Sequence, residues 1–310
     1  MTTNSIAMIG LGKMGGNMAR RLARAGLQVQ AFDAQLTKDA SFEQSFASEA
    51  NLHLHHSLET CALTQKAGKR LIWVMLPAGE TTQSTLDLLL TQLAPGDLVV
   101  EGGNANYLES QARAKVFEAK GIHFVDCGVS GGIWGLENGY CLMYGGSPQA
   151  AHAVEAVMKA LAVSESSGWL HCGASGAGHY SKMIHNGIEY GMMQALGEGF
   201  AMLDAKKEFE IDTARVAELW RHGSVVRSWL LDLTADALKQ DPKLAGIKPV
   251  VADSGEGRWT AQEAVDLGIP TPVMSLALMM RFASQGQDEF GAKLLAKMRQ
   301  GFGGHAVQKR

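Results

Sequence analysis

The chain has 310 residues, of which 46% are hydrophobic and 19% are charged, and its formal net charge is −3. This composition is typical of an ordinary folded protein, and the length predicts two domains. The small net charge and the lack of Lys/Arg clusters argue against a nucleic-acid partner. No apolar run could span a membrane and a strand begins almost at the N-terminus, so we expect a cytoplasmic protein without a membrane partner.

The cysteine and histidine patterns predict no metal site. The four cysteines lack CxxC spacing, which favours reduced thiols. His53, His55 and His56 lie together in a polar stretch, but no Cys or carboxylate stands at ligand spacing beside them. Surface histidines are therefore the favoured interpretation.

A glycine-rich loop follows the first predicted strand, which covers residues 5–9. Residues 10–15 read GLGKMG, a helical pattern continues to Ala25, and a second strand over residues 27–32 ends at Asp33. This arrangement predicts dinucleotide binding, with the pyrophosphate at the helix N-terminus and the carboxylate on the adenosine ribose. The predicted cofactor-binding residues of this segment are Gly10, Leu11, Gly12, Lys13, Met14, Gly15 and Asp33.

Asp33 also indicates which dinucleotide binds. A carboxylate at this position repels a 2′-phosphate, and the next residues, Ala34 and Gln35, offer no guanidinium to bind one. NAD is therefore the predicted cofactor. Lys38 lies nearby and keeps NADP possible.

Strands and helices alternate through the first half of the chain. Further strands are predicted at residues 70–76, 97–101, 123–127, 140–145 and 169–170, and helices at residues 81–93, 107–120 and 149–161. Residues 39–68 give no clear pattern. The alternation predicts a doubly wound α/β sheet of the Rossmann type. Met75 and Leu76 end one of these strands and are predicted to border the cofactor, because the carboxyl ends of parallel strands face it.

Two later strands end in glycine-rich loops. Asn104 lies in GGNAN (102–106), and Ser130 lies in GVSGG (128–132) with Gly131 and Gly132. Either loop could be a simple turn. Two such loops at one edge of a sheet favour a shared pocket for a carboxylate or hydroxyl groups. Asn104 is therefore a candidate for contact with both cofactor and substrate.

Strand patterns largely vanish after residue 177. Helices are predicted at residues 178–206, 212–222, 224–240, 260–267, 271–285 and 288–298. The change divides the chain into a dinucleotide-binding domain, residues 1–177, and an all-helical substrate and dimerisation domain, residues 178–310.

The first helix of the second domain has a polar face. Its positions i, i+3, i+4, i+7 and i+8 are Lys182, His185, Asn186, Glu189 and Tyr190. Met and Ile residues surround this face, so a merely solvated surface is the weaker interpretation. Burying an ammonium and a carboxylate is costly unless they are paired or used. We interpret the segment as a catalytic helix, with Lys182 as base and Glu189 as acid.

The glycine-rich loop and six further blocks of the sequence resemble those of the 6-phosphogluconate dehydrogenases, within the β-hydroxyacid dehydrogenase superfamily. The six blocks are EGGNANY (101–107), GVSGG (128–132), GHYSKMIHNGIEYG (178–191), WRHGSVVRS (220–228), GEGRWT (255–260) and FGGHAV (302–307). HNGIEYG is the most specific of them. The resemblance implies oxidative decarboxylation of 6-phosphogluconate to ribulose 5-phosphate and CO2 with reduction of NAD or NADP, in a homodimer or homotetramer.

The resemblance also implies residue roles. Carried over by position, Lys182 is the general base and Glu189 the general acid, and no metal is required. The residues implied to contact the sugar acid are Asn104, Ser130, Gly131, Gly132, His185 and Asn186. Tyr190 and Arg281 would bind the substrate phosphate.

Other features concern the phosphate site and the tail. Arg299 and His305 match an Arg and a His that in the family reach the phosphate from the neighbouring subunit. The usual enzymes of the family are longer, so this chain resembles a short form. Ser254 replaces the family's phosphate-binding Lys and Glu256 replaces a Thr, while Arg258 is close enough to compensate.

Two other functions stay open. A β-hydroxyacid dehydrogenase for a small unphosphorylated acid would gain nothing from a substrate phosphate. A non-enzymatic NAD-binding sensor would use Lys182 and Glu189 only as a structural ion pair.

Overall fold

The structure is a computed structural model that describes residues 5–287, 289–303 and 306–308. The chain forms two compact units, Met1–Lys182 and Met183–Arg310. The division predicted after residue 177 stays a prediction of domain organisation.

The first unit contains an eight-stranded sheet with helices between the strands. Its strands are β1 (Ser5–Ile9), β2 (Gln28–Phe32), β3 (Leu52–His55), β4 (Leu71–Val74), β5 (Leu98–Glu101), β6 (His123–Ser130), β7 (Cys141–Gly146) and β8 (Trp169–Gly173). Its helices are α1 (Lys13–Arg24), α2 (Ala40–Gln44), α3 (Leu58–Ala62), α4 (Glu80–Gln92), α5 (Tyr107–Glu118), α6 (Gly135–Asn138) and α7 (Pro148–Leu161), with a 3₁₀ turn at Gly132–Trp134.

The strand order is β3-β2-β1-β4-β5-β6-β7-β8. Neighbouring strands are parallel except β6 and β7, which are antiparallel. The chain winds outward in one direction from β1 to β3 and in the other from β4, so β1 and β4 flank the switch point at which such sheets bind ligands. The predicted doubly wound α/β fold is confirmed.

Apolar side chains cover both faces of the sheet. Along β1, Ile6 and Met8 belong to one core cluster, whereas Ala7 and Ile9 belong to another. Alternate residues of a strand point to opposite faces, so both faces of β1 are buried, as expected for a parallel sheet between helix layers.

Residues 39–68 contain elements that the sequence pattern did not reveal, namely α2, β3 and α3. Strand β3 lies at the end of the strand order beside β2, and its sequence LHLH carries polar side chains that weaken an apolar pattern. His53 and His55 hydrogen-bond to Gln28 and Gln30 of β2, at 2.9 and 2.7 Å. These histidines are thus cross-strand partners at the sheet edge, and the described residues include no His/Cys/Asp/Glu group suited to a metal ion.

Strand β6 is longer than predicted. Its sequence suggested an end at Cys127 and a loop that carries Ser130, but pairing continues to Ser130, whose Cα partner is Cys141 of β7. The antiparallel β7 supplies this pairing, which the glycines of GVSGG concealed. Ser130 is therefore the last residue of a strand, and the prediction of a loop position was wrong.

Seven helical segments follow β8 in the described part of the chain. They are α8 (Ala177–Ala205), a 3₁₀ turn at Lys207–Phe209, α9 (Thr213–Trp220), α10 (Trp229–Gln240), α11 (Glu256–Asp266), α12 (Pro272–Ser284) and α13 (Glu289–Gly303). No described helix is long and apolar enough to cross a bilayer.

Three helix ends differ from the prediction by four or five residues. Helix α10 begins at Trp229 rather than at residue 224, because the hydroxyl of Ser228 accepts the N–H of Leu231 as an N-cap. Helix α11 begins at Glu256, four residues before the predicted start. Helix α13 continues to Gly303, beyond the predicted end at residue 298.

Candidate active site

The glycine-rich loop between β1 and α1 packs tightly on one side and is open on the other. A Cβ on Gly10, whose φ is +94°, would overlap the carbonyl oxygen of Met75, and a Cβ on Gly15 would overlap that of Gly10. A Cβ on Gly12 would meet no atom within 4 Å. Gly10 and Gly15 therefore serve the turn itself, whereas Gly12 leaves space for a ligand.

The N-terminus of α1 is suited to an anion. Its N-cap, Gly12, provides no side-chain acceptor, and the first turn contains no acidic residue. The first backbone N–H groups and the positive end of the helix dipole thus lie beside the open side of the loop. This geometry fits the pyrophosphate of a dinucleotide.

Asp33 follows β2 and is held by the backbone. Its Oδ2 accepts the N–H of Leu11 at 2.7 Å, and its Oδ1 accepts the N–H of Gln35 at 2.8 Å. A carboxylate oxygen can accept more than one hydrogen bond, so both oxygens retain capacity for ribose hydroxyls. The arrangement fits the predicted role of Asp33.

Met75 and Leu76 join two of the predicted loops. The N–H of Met75 donates to the carbonyl of Ile9 at 2.7 Å, directly before the glycine-rich loop. A Cβ on Gly103 would overlap the carbonyl oxygen of Leu76. The structure therefore brings residues 10–15, 75–76 and 102–104 together at the carboxyl edge of the sheet.

The loop after β5 presents Asn104 at this edge. Asn104 is exposed, whereas the next residue, Ala105, is buried. The side chain of Asn106 closes the loop as the N-cap of α5 and accepts the N–H of Leu108 at 2.9 Å.

At the end of β6, Gly131 and Gly132 both have positive φ, at +132° and +55°.

Lys182 is buried, with 7% of its surface exposed, and it lies in the second turn of α8. A Cβ on Gly128 of β6 would overlap the Cβ of Lys182, so strand and helix are in direct contact. Asp126 of β6 caps the helix, because its oxygens accept the N–H groups of Gly176 and His179 at 2.6 and 2.8 Å. Strand β6 therefore holds the start of α8, the segment that carries Lys182.

The next polar residues of α8 interact with one another. Nδ1 of His185 lies 2.9 Å from Oδ1 of Asn186 and 3.9 Å from Oε2 of Glu189. Asn186 is buried, while His185 and Glu189 are partly exposed. The helix places these polar residues on one face, as their spacing predicted. Their roles stay predictions.

Tyr190 is buried and lies in a cluster with charged residues of α11, α12 and the loop before α11. The Cζ atom of Arg281 lies 3.4 Å from the centre of the Tyr190 ring. The Tyr190 hydroxyl donates to Oδ1 of Asp253 at 3.1 Å, and the N–H of Ser254 donates to Tyr190 Oη at 3.3 Å. The structure thus brings together Tyr190, Arg281 and the segment that carries Asp253 and Ser254.

Asp253 connects Tyr190 to Arg258. Burial opposes ionisation of Asp253, but hydrogen bonds from Arg258 Nε, the N–H of Gly255 and the Tyr190 hydroxyl outweigh it and hold the pKa of this carboxyl below its ordinary value. Within the described part of the chain, the terminal nitrogens of Arg258 make no hydrogen bond, so they can bind an anion. The sequence analysis missed Asp253, because an exposed-looking loop residue gives no sign of burial.

Ser254 and Glu256 pair with each other. The hydroxyl of Ser254 donates to Oε2 of Glu256 at 2.5 Å, and Glu256 is buried. A hydroxyl and a carboxylate therefore stand where the resemblance implies a lysine and a threonine. The cluster has two arginines, Arg258 and Arg281, against two carboxylates.

Of the two tail residues, only Arg299 lies among the residues that the structure describes. Arg299 is exposed on α13, and the structure shows no contact between it and Tyr190 or Arg281 among the described residues. His305 lies outside the described residues. Their implied roles stay predictions.

Two family models match the chain. Residues 5–173 match the NAD binding domain of 6-phosphogluconate dehydrogenase, and residues 178–309 match the 6-phosphogluconate dehydrogenase C-terminal domain. The NAD(+)-dependent, decarboxylating 6-phosphogluconate dehydrogenase of Haloferax volcanii is 39% identical, over 98% of this chain and 99% of that protein.

Solved structures agree on the fold. Plasmodium falciparum 6-phosphogluconate dehydrogenase is 27% identical with a TM-score of 0.82, covering 99% of this chain and 66% of that one. Mycobacterium tuberculosis 3-hydroxyisobutyrate dehydrogenase, at 21% identity and a TM-score of 0.70 over 93% and 94% of the two chains, shares the fold. The predicted enzyme class and nicotinamide cofactor are confirmed, and the chain belongs to the 6-phosphogluconate dehydrogenase family.

Proposed function

We propose that this protein oxidises and decarboxylates 6-phosphogluconate to ribulose 5-phosphate and CO2, with NAD as the oxidant. The observation that carries the proposal is the row of side chains on α8. A buried lysine, Lys182, is followed by Glu189 about 10 Å further along the helix axis, and then by Tyr190 under an arginine. The Haloferax volcanii relative, with this reaction in its name, supports the proposal.

Lys182 is the proposed base for the oxidation. Bound NAD supplies the hydride acceptor. Lys182 removes the proton of the C3 hydroxyl as the C3 hydride departs, which leaves a 3-keto acid. This role requires the neutral amine, the form that burial favours for a lysine.

The same side chain assists the loss of CO2. A β-keto acid loses its carboxyl group when the electrons of the C1–C2 bond can move onto the ketone oxygen. The ammonium of Lys182, formed in the first step, stabilises that oxygen as it becomes an enolate. Glu189 then donates a proton to the carbon that carried the carboxyl group, which completes the ketopentose phosphate.

The phosphate is proposed to bind at the Tyr190 cluster. Arg281 and Arg258 can each present two N–H donors to phosphate oxygens, as guanidinium groups commonly do. Arg258 is oriented for this by Asp253, which holds only its Nε. We propose that Arg258 takes over the role of the family lysine that Ser254 replaces.

NAD is the proposed cofactor rather than NADP. Both oxygens of Asp33 are fixed by backbone N–H groups, so the carboxylate cannot swing away from a 2′-phosphate without loss of two hydrogen bonds. The Haloferax volcanii relative is named as NAD(+)-dependent, whereas NADP+ is described as the cofactor of the Plasmodium falciparum enzyme.

We also propose a cytoplasmic homo-oligomer. Among the side chains of α13 that the structure describes, four large apolar ones are exposed, which is costly for a monomer in water. They are Phe290, Leu294, Leu295 and Met298. A homodimer or homotetramer would cover them, and light scattering of the purified protein tests this directly.

A small unphosphorylated β-hydroxy acid is the second candidate substrate. The Ser254–Glu256 pair and the Asp253 carboxylate favour it, because they place negative charge where the family has a phosphate-binding lysine. On this alternative, a substrate phosphate would bring no gain in rate.

Initial rates of nicotinamide reduction test the proposal. The substrates are 6-phosphogluconate, gluconate and 3-hydroxyisobutyrate, each with NAD and NADP. Reduction of NAD with 6-phosphogluconate alone is the expected result. Reduction with 3-hydroxyisobutyrate alone would select the second candidate, and NADH binding without any turnover would indicate a sensor.

A further inference from the structure

A chain of buried polar side chains joins three elements of the first unit. Glu101 ends β5, Ser110 lies in the first turns of α5, and His179 lies at the start of α8. None of the three exposes more than 1% of its surface. Buried polar groups of this kind are kept in place by their hydrogen bonds.

The hydroxyl of Ser110 links Glu101 to His179. Its Oγ donates to Oε2 of Glu101 at 2.7 Å and lies 2.8 Å from Nδ1 of His179. A hydroxyl has one hydrogen to donate. Since the carboxylate takes it, Oγ accepts from His179, and Nδ1 must carry a hydrogen.

The other polar atoms of Glu101 and His179 show where this series of hydrogen-bonded side chains ends. Arg113 donates to the other oxygen of Glu101 and also bonds to Gln83 and Glu109, so the buried carboxylate is paired. Nε2 of His179 is buried and has no hydrogen-bond partner among the described residues. The bond from Nδ1 to Ser110 is therefore the only hydrogen bond that the described part of the chain offers to the imidazole.

The hydrogen bonds among Glu101, Ser110 and His179 connect two parts of the candidate site. Glu101 directly precedes the loop that carries Asn104, and Ser110 belongs to the helix that begins after this loop. His179 stands three residues before Lys182, so the two lie on neighbouring turns of one helix face. The Ser110–His179 bond thus ties the loop of Asn104 to the helix turn that precedes Lys182.

We propose that His179 is a positioning residue: its Nδ1–H, bound to Ser110, fixes the rotation of the first turns of α8 and hence the place of the Lys182 amine relative to the Asn104 loop. This inference rests on the proposed function, which makes Lys182 the base. The start of α8 does not depend on His179 alone, because Asp126 caps it and Gly178 packs without space for a Cβ against β6 and β7. Loss of the His179 bond should therefore displace Lys182 without unfolding the unit.

Two substitutions of His179 separate the donor from the bulk of the ring. The amide nitrogen of asparagine is attached to Cγ, as Nδ1 is, so His179→Asn can still donate to Ser110. His179→Leu has no donor but retains apolar volume. We expect His179→Asn to keep most of the wild-type kcat and His179→Leu to lose roughly 100-fold, as a misplaced catalytic group does, with KM for NAD unchanged.

Ser110→Ala provides a second test with a smaller change in volume. It removes the acceptor for Nδ1 and should lower kcat in the same direction as His179→Leu, again with KM for NAD unchanged. The pH profile of kcat/KM should shift in both variants, because the environment of the Lys182 amine changes. Melting curves and NADH titrations establish that each variant is folded.

The outcomes distinguish this inference from the proposed function. Wild-type protein that oxidises no hydroxy acid would overturn the proposed function. Wild-type turnover together with full kcat in His179→Leu would overturn only the positioning role, as would an equal loss in His179→Asn and His179→Leu. Long-range ¹H–¹⁵N NMR of the wild type provides a readout without turnover: a hydrogen on Nδ1 of His179 is expected, and a hydrogen on Nε2 alone would contradict the proposal.

Discussion

The guanidinium of Arg281 is stacked on the ring of Tyr190, with Cζ 3.4 Å from the ring centre. Arg281 NH1 also donates to the carbonyl of Ala252 at 2.7 Å, in the segment that leads to Asp253. A planar cation on an aromatic face is held at a defined height and orientation. We propose that the substrate phosphate binds at this Arg281–Tyr190 pair.

Arg281 provides the test of that phosphate site. We predict that Arg281→Ala raises KM for 6-phosphogluconate roughly 10- to 100-fold, the equivalent of about 1.5–3 kcal/mol for hydrogen bonds to a charged group. Arg281→Lys should recover only part of this, because an ammonium cannot stack or bind two oxygens in a fork. Arg215, an exposed arginine of α9, is the matched control, and Arg215→Ala should leave KM unchanged. Equal KM values in the wild type and the three variants would contradict binding of the substrate phosphate at this cluster.

Lys182 is the residue on which the chemistry depends most. Lys182→Met should lower kcat by about 10²–10⁴-fold, the usual effect of losing a positioned acid or base, while NADH binding stays intact. Lys115→Met, at an exposed position of α5, serves as the control for loss of a lysine. Rapid turnover in Lys182→Met would refute the assignment of the base.

Asp33 and Ala34 should decide the choice of cofactor. The double change Asp33→Ser and Ala34→Arg removes the carboxylate that repels a 2′-phosphate and adds a guanidinium that binds one. We predict a higher kcat/KM with NADP and a lower one with NAD. An unchanged ratio of the two kcat/KM values would mean that other residues select the cofactor.

Asp253 should make the stability of the protein depend on pH. Its pKa in the folded state is held below the ordinary value of 3.8, so its contribution to folding is present above that value and is lost as the pH falls through the folded-state pKa. Urea titrations at about pH 5 and pH 3 should show a smaller loss of unfolding free energy in Asp253→Asn than in the wild type. Identical losses in both proteins would contradict the contribution of this carboxyl.

Local sequence patterns predicted most of the fold because the relevant signals repeat within a few residues. The GxGxxG motif and Asp33 indicate the positions of β1, α1 and β2. The helical spacing of Lys182, His185 and Glu189 is enough to identify one face of α8. Strand β3 was missed because this local signal is weak there. Its four residues alternate between leucine and histidine and give no clear apolar pattern.

Contacts between distant parts of the chain could not be predicted in this way. Ser110 and His179 are 69 positions apart, and nothing near either residue indicates the other. Asp253 likewise acquires its contact with Tyr190, 63 positions away, only in the folded unit. Burial and pairing of these polar residues come from tertiary structure, which periodicity does not record.

The central claim, that oxidation is coupled to decarboxylation, is tested most directly by the yield of CO2. The substrate is 6-phosphogluconate with ¹³C at C1, and ¹³CO2 and NADH are measured in the same reaction. The account predicts equimolar ¹³CO2 and NADH from the first turnovers onward. NADH formed without ¹³CO2 would contradict it and would make the protein a simple dehydrogenase.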